Sequence, residues 1–452
     1  MKKSLLWLLI MILAVSMVVT FSLAGCKAEE AAEEEVAEEE AAVVEEEAAE
    51  AVPEGEQVTI KLTSWRTEDI ERMSIINAVF MEENPDIIVD FQPIKDTEYD
   101  AQLTSSLETG VGADIIWLRS FDPGELIYNG GYLSELNDVI PELADFPSAA
   151  INAWASDDGV IYGVPIAGVT HGVFYLGDIF EQYGLEEPAT WAEFIDLCQT
   201  LKDNGETVFA QGTGDGWPLY EVIFSGLGAN FYGGEASRQA LMAGDMRLTD
   251  EPFVNAFKAV DELQQFFPDG YEAINYVAMQ QMFGTRQAAM FIGGSWEIGI
   301  FRDAGLTDLG WFAPPVENAG DTLQYCFHVD MGVGINKDSE NYDAALKYLK
   351  WTSTPEFAQL FMDNLPGFFS YTPNPTGEYT LEDTVAKDNL DASLGADLTV
   401  RTVWERMSRQ DPSGNGMMEE ALIKMVTDVL TPEEAAALVD DALSTWYEPF
   451  ME

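Results

Sequence analysis

The sequence contains very little positive charge. Only 22 lysines and arginines stand against 80 aspartates and glutamates, and the formal net charge is −58. Such a chain would repel the phosphates of nucleic acids and the headgroups of anionic lipids. The charge balance therefore argues against nucleic acid as a partner, and it favours a neutral or cationic ligand over an anionic one.

Cysteine and histidine are also scarce. The chain has three cysteines, Cys26, Cys198 and Cys326, and two histidines. They form no group with the spacing of a zinc site, and neither a phosphate-binding loop nor a nucleophile elbow occurs. We therefore predict no metal and no cofactor. Cys198 fits a buried apolar position, and a disulfide between Cys198 and Cys326 stays open because an oxidising compartment would permit one.

The N-terminus has the layout of a secretory signal. Lys2 and Lys3 precede an almost wholly apolar run over residues 5–22, which leads into the string Leu-Ala-Gly-Cys ending at Cys26. A basic start, a short apolar core and small residues before a cleavage point are typical of signal peptides. The string resembles a bacterial lipoprotein signal, which implies a signal peptide over 1–25, acylation of Cys26 and a lipid anchor on the membrane outside the cytoplasm. A transmembrane anchor is the alternative.

An acidic stretch of low complexity follows, over residues 26–56. Residues 29–56 hold fourteen glutamates and no basic residue. Alanine and glutamate favour helix, but glutamates four residues apart repel each other, and the stretch has little apolar surface to bury. We predict a disordered, solvated tether here. Filler without a spacing role is the alternative.

From residue 58 the chain alternates between strand and helix patterns. Residues 58–65 alternate apolar and polar side chains, a helical pattern then stops at Pro85, and a second strand pattern covers 87–94. Another helical pattern closes at Gly110, before a short apolar strand at 113–118. This order of strands and helices is typical of an α/β layer with a largely parallel sheet.

The later segments continue the mixed pattern. Residues 159–176 are rich in β-formers and punctuated by glycine. Thr190 and Glu193 fit a capping box at the start of a helix that Gly205 would end. A further strand pattern covers 331–336. Additional helical patterns cover 252–267, 276–290 and 342–353, and the chain after 376 is mostly helical.

The joint order of several segments carries a family resemblance. The matching pieces are "GVGADIIWL", "NGGYLSELNDVI", "DGVIYGVPIAGVTHGVFYL", "YGLEEPATWAEF", "RQAAMFIGGSWE", "DAALKYLKWTSTPEFAQLF" and "LTPEEAAALVDDAL". With them, residues 57–450 resemble an extracellular solute-binding protein of an ABC importer, in the family that binds sugars. The resemblance implies a two-lobed α/β fold like that of periplasmic binding proteins, with hinge strands and a central ligand cleft. It assigns 57–165 and 288–337 to an N-terminal lobe, and 166–287 and 338–450 to a C-terminal lobe.

The same resemblance implies binding without chemistry. The expected role is capture of a mono- or oligosaccharide by a monomer outside the cytoplasm, and delivery of the sugar to the membrane-spanning permease. A polyamine or another small solute is the alternative ligand, because an acidic body suits a cation. A sensory binding protein would have the same lobes. A secreted glycosidase would need two carboxylates about 5 to 10 Å apart.

Candidate ligand-binding residues follow from the chemistry of a sugar, which needs flat aromatic platforms for its C–H face and fixed polar groups for its hydroxyls. Trp65, Trp217 and Trp296 stand out because turns flank them. The full prediction comprises Trp65, Arg66, Arg119, Tyr175, Trp217, Trp296, His328, Asp330, Tyr371 and Trp404. Core packing is the alternative for each aromatic residue, and a salt bridge is the alternative for the arginine at 119.

His328 and Asp330 mark a departure from the family pattern. Many members have a glycine pair in the region where this chain reads "FHVDMGVGIN". Alternation along a strand would point both side chains to one face, either into the cleft or into a polar pair at the hinge. The resemblance therefore names no specific sugar.

Overall fold

The β-strands form a nine-stranded sheet within residues 57–451, the part of the chain that the computed structural model describes. The predicted signal peptide and acidic tether lie outside the described residues. The strands are β1 Val58–Ser64, β2 Ile87–Pro93, β3 Ile115–Arg119, β4 Val164–Leu176, β5 Met290–Gly294, β6 Leu309–Phe312, β7 Gln324–Ile335, β8 Phe369–Ser370 and β9 Asp397–Thr399.

Helices account for most of the remaining described chain. A π-helical segment covers Pro218–Leu227, the apolar stretch that follows Trp217. Within residues 57–451, no helix combines the length and the apolar character needed to cross a membrane. The α-helices are α1 Ile70–Glu83, α2 Asp96–Glu108, α3 Asp122–Asn129, α4 Ser148–Asn152, α5 Gly177–Tyr183, α6 Trp191–Asp203, α7 Ala229–Tyr232, α8 Gly234–Ala243, α9 Glu251–Leu263, α10 Tyr276–Gly284, α11 Glu297–Asp303, α12 Tyr342–Thr352, α13 Pro355–Asn364, α14 Thr384–Ser393, α15 Gly414–Val426 and α16 Pro432–Leu443.

The first three strands are parallel, as their alternation with helices predicts. β1 pairs in parallel with both β2 and β3, and its Ile60 and Leu62 are fully buried in the core. The rest of the main path is antiparallel, because β3 pairs with β7, β7 with β4, and β4 with β5. The sheet is therefore mixed rather than largely parallel.

Strand β4 links the two parts of the sheet. Its residues 164–170 pair with β7, and its residues 171–176 pair with β5 and β6. The strand is buried along nearly its whole length, which is typical of a strand covered on both faces. Its glycines make room for neighbouring aromatic side chains: a Cβ at Gly172 would lie 2.4 Å from the indole nitrogen of Trp311.

Helix α12 returns to the first strands. Tyr348 donates a hydrogen bond to Asn77 of α1 at 2.7 Å, and its ring lies 5.1 Å from that of Phe80. Just before the helix, Asn341 donates to the backbone oxygen of Thr59 in β1 at 3.1 Å. These contacts attach α12 to elements of the expected N-terminal lobe, although the resemblance had grouped all of 338–450 with the C-terminal lobe.

Two local expectations also have clear outcomes. Thr190 and Glu193 form both hydrogen bonds of a capping box at the start of α6, and Gly205 follows the helix with φ +83°. Cys198 and Cys326 are both buried and both free. The open question of a disulfide is thereby answered, and Cys198 packs as the small apolar residue that the sequence predicts.

Candidate functional site

A cavity of about 560 Å³ is the candidate site. Its walls come from the loop after β1, the end of β3, and the starts of α2 and α3. The segments before and within the π-helix, α10, the turn after β5, β7, the chain between β9 and α15, and α15 itself complete them. The lining residues are Trp65, Arg66, Thr67, Glu68, Lys95, Asp96, Thr97, Asp100, Arg119, Pro123, Asp215, Trp217, Glu221, Tyr276, Val277, Gln280, Trp296, Asp330, Arg401, Trp404, Asn415 and Glu419. Segments hundreds of residues apart in sequence thus share one cavity.

The cavity brings together most of the predicted site residues. Those that line it are Trp65, Arg66, Arg119, Trp217, Trp296, Asp330 and Trp404. Tyr175, His328 and Tyr371 do not line it. Contact of any of these residues with a ligand stays a prediction.

Trp65 is fixed by its aromatic neighbours. Its ring meets Tyr99 and Trp117 edge-on, with centroids 5.7 and 6.1 Å away. The guanidinium of Arg119 lies 4.8 Å from the ring centroid, a cation–π distance. Only 7% of Trp65 is exposed, so the indole offers a rigid edge of the cavity rather than a mobile flap.

Trp404 is held by both a hydrogen bond and ring packing. Its indole nitrogen donates to the backbone oxygen of Ser120 at 2.9 Å. Arg401 lies 4.9 Å from its ring centroid. These contacts join the late segment after β9 to the loop after β3, so Trp404 belongs to the same site as Trp65 despite their distance in sequence.

Trp217 and Trp296 form a second aromatic group. Their ring centroids are 6.3 Å apart, and Tyr276 meets Trp217 edge-on at 4.6 Å. The indole nitrogen of Trp296 donates to the hydroxyl of Tyr276 at 2.8 Å. A Cβ at Gly294 would lie 2.0 Å from the Trp296 ring, which is why a glycine turn precedes this tryptophan.

Three buried or half-buried arginines of the lining are each paired with two carboxylates. Burial of a cation is tolerated when such partners compensate the lost hydration. The salt bridge named as the alternative for Arg119 is therefore present, although the residue also lines the cavity. The pairs are Arg66 with Glu68 and Asp69, Arg119 with Asp96 and Asp100, and Arg401 with Glu221 and Asp330.

Several carboxyl groups at the site have raised pKa values. Burial raises the pKa of Glu221 to about 8, against the lowering effect of Arg401. Burial likewise raises the pKa of Glu419 to about 7. Glu297, behind the lining, is fully buried beside Tyr276, and its pKa is also raised to about 7 by burial. Ionising these groups therefore requires compensation that the protein alone does not fully provide.

The three predicted residues outside the lining have other partners. Tyr175 donates to Glu187 at 2.7 Å and stacks on Phe180 at 4.0 Å. Tyr371 packs against Phe327, with ring centroids 6.1 Å apart. His328 shares a strand face with Asp330, but it packs edge-on against Trp404 at 5.7 Å and contacts the Ser120 hydroxyl at 3.1 Å. Trp404 therefore covers the position that the strand alternation offered to His328.

Sequence reasoning missed several polar lining residues. Glu221 could have been found, because it is a lone carboxylate in the apolar run "PLYEVIFSGL". Arg401 lies three residues before Trp404 and shares its segment. Glu419 had no such signal, because α15 is amphipathic and acidic residues are common throughout the chain.

Comparison with known proteins supplies the family. The sequence model of the bacterial extracellular solute-binding protein family matches residues 63–359. The chain belongs to this family.

Among relatives of this solute-binding protein is an uncharacterized ABC transporter extracellular-binding protein of Pyrococcus horikoshii. It is 24% identical over 268 residues, or 58% of this chain and 61% of the relative. The multiple sugar-binding protein of Streptococcus mutans is 26% identical over 212 residues, or 45% of this chain and 50% of the relative. The matches thus span less than two thirds of either relative.

Solved structures show the same fold. A chitin oligosaccharide binding protein superposes on this solute-binding protein with a TM-score of 0.72 at 22% identity, covering 86% of this chain and 100% of the other. The predicted two-lobed α/β fold of periplasmic-binding-protein type is confirmed.

Proposed function

We propose that this solute-binding protein captures a carbohydrate in the cavity and delivers it to the permease of an ABC importer. The observation that carries the proposal is the meeting of four tryptophans, Trp65, Trp217, Trp296 and Trp404, with charged and amide groups around one cavity. Aromatic platforms combined with a few convergent polar groups suit a ring with an apolar face and a hydroxyl rim. The Streptococcus mutans relative, which is named as a sugar binder, supports the same ligand class.

The two aromatic groups would face the ligand from different lobes. We assign to one lobe β1 to β3, their helices, the second half of β7, and α12 and α13. The other lobe would hold the elements between β4 and β5, and α14 to α16. It would also hold β5 and β6, which the resemblance grouped with the N-terminal lobe, because both pair with the second half of β4. Strands β4 and β7 connect the two and would serve as hinges. A sugar that touches Trp65 on one side and Trp217 on the other would favour the closed state by its differential affinity.

Location and assembly complete the proposal. The protein would act as a monomer outside the cytoplasm, which fits its membership of an extracellular family. Acylation at Cys26 would hold it on the membrane, and the acidic tether over 26–56 would space the lobes from the surface. Incorporation of labelled palmitate by the full chain, and its loss in Cys26→Ser, would test the anchor.

A thermal-shift screen tests the ligand class. A ligand that binds only the folded state increases the free energy of unfolding, by about 2.7 kcal/mol at a hundredfold excess over Kd, and so raises the melting temperature. We expect a shift with at least one neutral or amino mono- or oligosaccharide, and recovery of that sugar unchanged. Turnover would instead indicate a glycosidase.

A polyamine binder is the second candidate, because carboxylates outnumber basic groups around the cavity. A shift with spermidine and with no sugar would replace the carbohydrate proposal by this one. Transport and sensing would be separated by uptake of the ligand in cells that lack the protein.

A further inference from the structure

The cavity carries more negative than positive groups. Seven carboxylates line it, against three arginines and one lysine. Each arginine already has two carboxylate partners, so none offers an unused positive charge. Burial raises the pKa of Glu221 to about 8 and that of Glu419 to about 7, so bound protons already neutralise part of this surplus at pH 7. A neutral ligand would leave Glu419 partly protonated, whereas a cation beside it would favour the carboxylate.

The surplus is concentrated beside Trp217. Asp215 and Glu419 line the cavity, and within residues 57–451 neither forms a salt bridge with lysine or arginine. Asp215 accepts a hydrogen bond from the backbone nitrogen of Tyr276 at 2.9 Å, and Glu419 accepts one from the amide of Asn415 at 3.2 Å. A carboxylate oxygen of Glu419 lies 3.0 Å from the position of a Cβ at Gly216, the residue between Asp215 and Trp217. Glu419 therefore approaches the chain at Gly216, between Asp215 and Trp217, and all three side chains line the cavity. Carboxylates and indole rings are groups that recognise ammonium ions.

A second, independent feature indicates the other end of the ligand. Arg401 is only 4% exposed, and its Nε, on a residue of the cavity wall, has no hydrogen-bond partner in the described chain. The other side of its guanidinium is occupied by Glu221 at 3.0 Å. A buried N–H without an acceptor is costly, and a ligand oxygen that reached this guanidinium would supply the missing acceptor. A polyamine has no oxygen atom that could accept this hydrogen bond.

We propose that the preferred ligand is a carbohydrate carrying a protonated amine, an amino sugar. Its ammonium would lie between Asp215 and Glu419 against Trp217, and a hydroxyl or ring oxygen would accept from Arg401. This inference rests on the proposed carbohydrate function and narrows it to one class of sugar. A neutral sugar satisfies only the arginine, and a polyamine satisfies only the carboxylates.

Calorimetric titration of the purified protein at pH 7 tests the inference with ligands that differ in one group. The three trimers are β-1,4-linked glucosamine, its N-acetylated form and cellotriose, each tested together with its monomer. Spermidine is the seventh probe. We expect glucosamine oligomers to bind at least about tenfold more tightly than the acetylated and neutral sugars. Added NaCl should weaken the binding of the glucosamine oligomers and leave the binding of the acetylated and neutral sugars unchanged.

The variant Glu419→Gln keeps the size of the side chain and removes its charge. It should weaken binding of the glucosamine trimer about tenfold and change binding of a neutral sugar less than about twofold. Glu420→Gln is the matched control, since Glu420 is exposed on the same helix and pairs with Lys424. It should change neither affinity.

The outcomes separate the two proposals. Equal or tighter binding of an acetylated or neutral sugar would overturn the amino-sugar inference and leave the carbohydrate function intact. Binding of spermidine without any sugar would overturn the carbohydrate function itself. Failure of all probes to bind would count against both.

Discussion

Replacement of Trp217 by alanine should weaken ligand binding far more than it weakens the fold. The residue is only half-buried, lines the cavity, and contacts Tyr276 and Trp296 through its ring. A sugar ring that covers about 60 Å² of the indole would gain about 1.5 kcal/mol at roughly 25 cal/mol per Å². Loss of that contact corresponds to an increase of about tenfold in Kd.

Isothermal titration with the tightest ligand from the thermal-shift screen measures this change. Trp217→Phe should lose less, because it retains a flat ring. Trp351→Ala is the control: this indole packs against Phe80 and Phe357 outside the cavity lining, so its loss should lower the melting temperature and leave Kd unchanged. An unchanged Kd in folded Trp217→Ala, or an equal loss in Trp351→Ala, would refute the platform role.

Three further predictions concern the fold and its buried groups. Arg401→Gln leaves Glu221 and Asp330 without their cation, so the free energy of unfolding measured in urea should fall by about 3 kcal/mol. A fall no larger than that of exposed Arg406→Gln would contradict the pairing. Burial raises the pKa of Glu297 from 4.5 to about 7, so between these pH values the folded state binds a proton that the unfolded state has lost. The free energy of unfolding should therefore fall as pH rises from about 4.5 to 7. Glu297→Gln should flatten that decline, and an unaltered slope would contradict the raised pKa. Cys198 and Cys326 are buried and free, so a thiol reagent should modify them only after unfolding, and a melting temperature that falls on adding a reductant would argue for a disulfide.

Local patterns predicted the elements that depend on near neighbours. The alternation of β1, the helix that ends near Pro85 and the capping box of Thr190 and Glu193 all follow from contacts within a few residues. The pairing of β4 with β7 joins segments more than a hundred residues apart. Neither strand carries a signal for its partner, so the mixed sheet and the return of α12 to β1 could not be predicted from pattern alone.

In the candidate site, too, local sequence patterns predicted some residues, whereas others depend on tertiary packing. Trp65, Trp217 and Trp296 were recognisable from the sequence because turns flank them. Strand alternation placed His328 on the same face as Asp330, but it could not anticipate that Trp404 would cover the histidine. The carboxylate of Glu419 lies beside Gly216 only through tertiary packing of α15, which leaves no trace in either local segment.

A crystal structure of the protein grown with its tightest-binding sugar would test the central claim most directly. We predict one sugar, chemically unchanged, with a ring against Trp217 and an oxygen within hydrogen-bond distance of Arg401. A sugar bound elsewhere on the protein, with the cavity between the four tryptophans empty, would contradict the proposal.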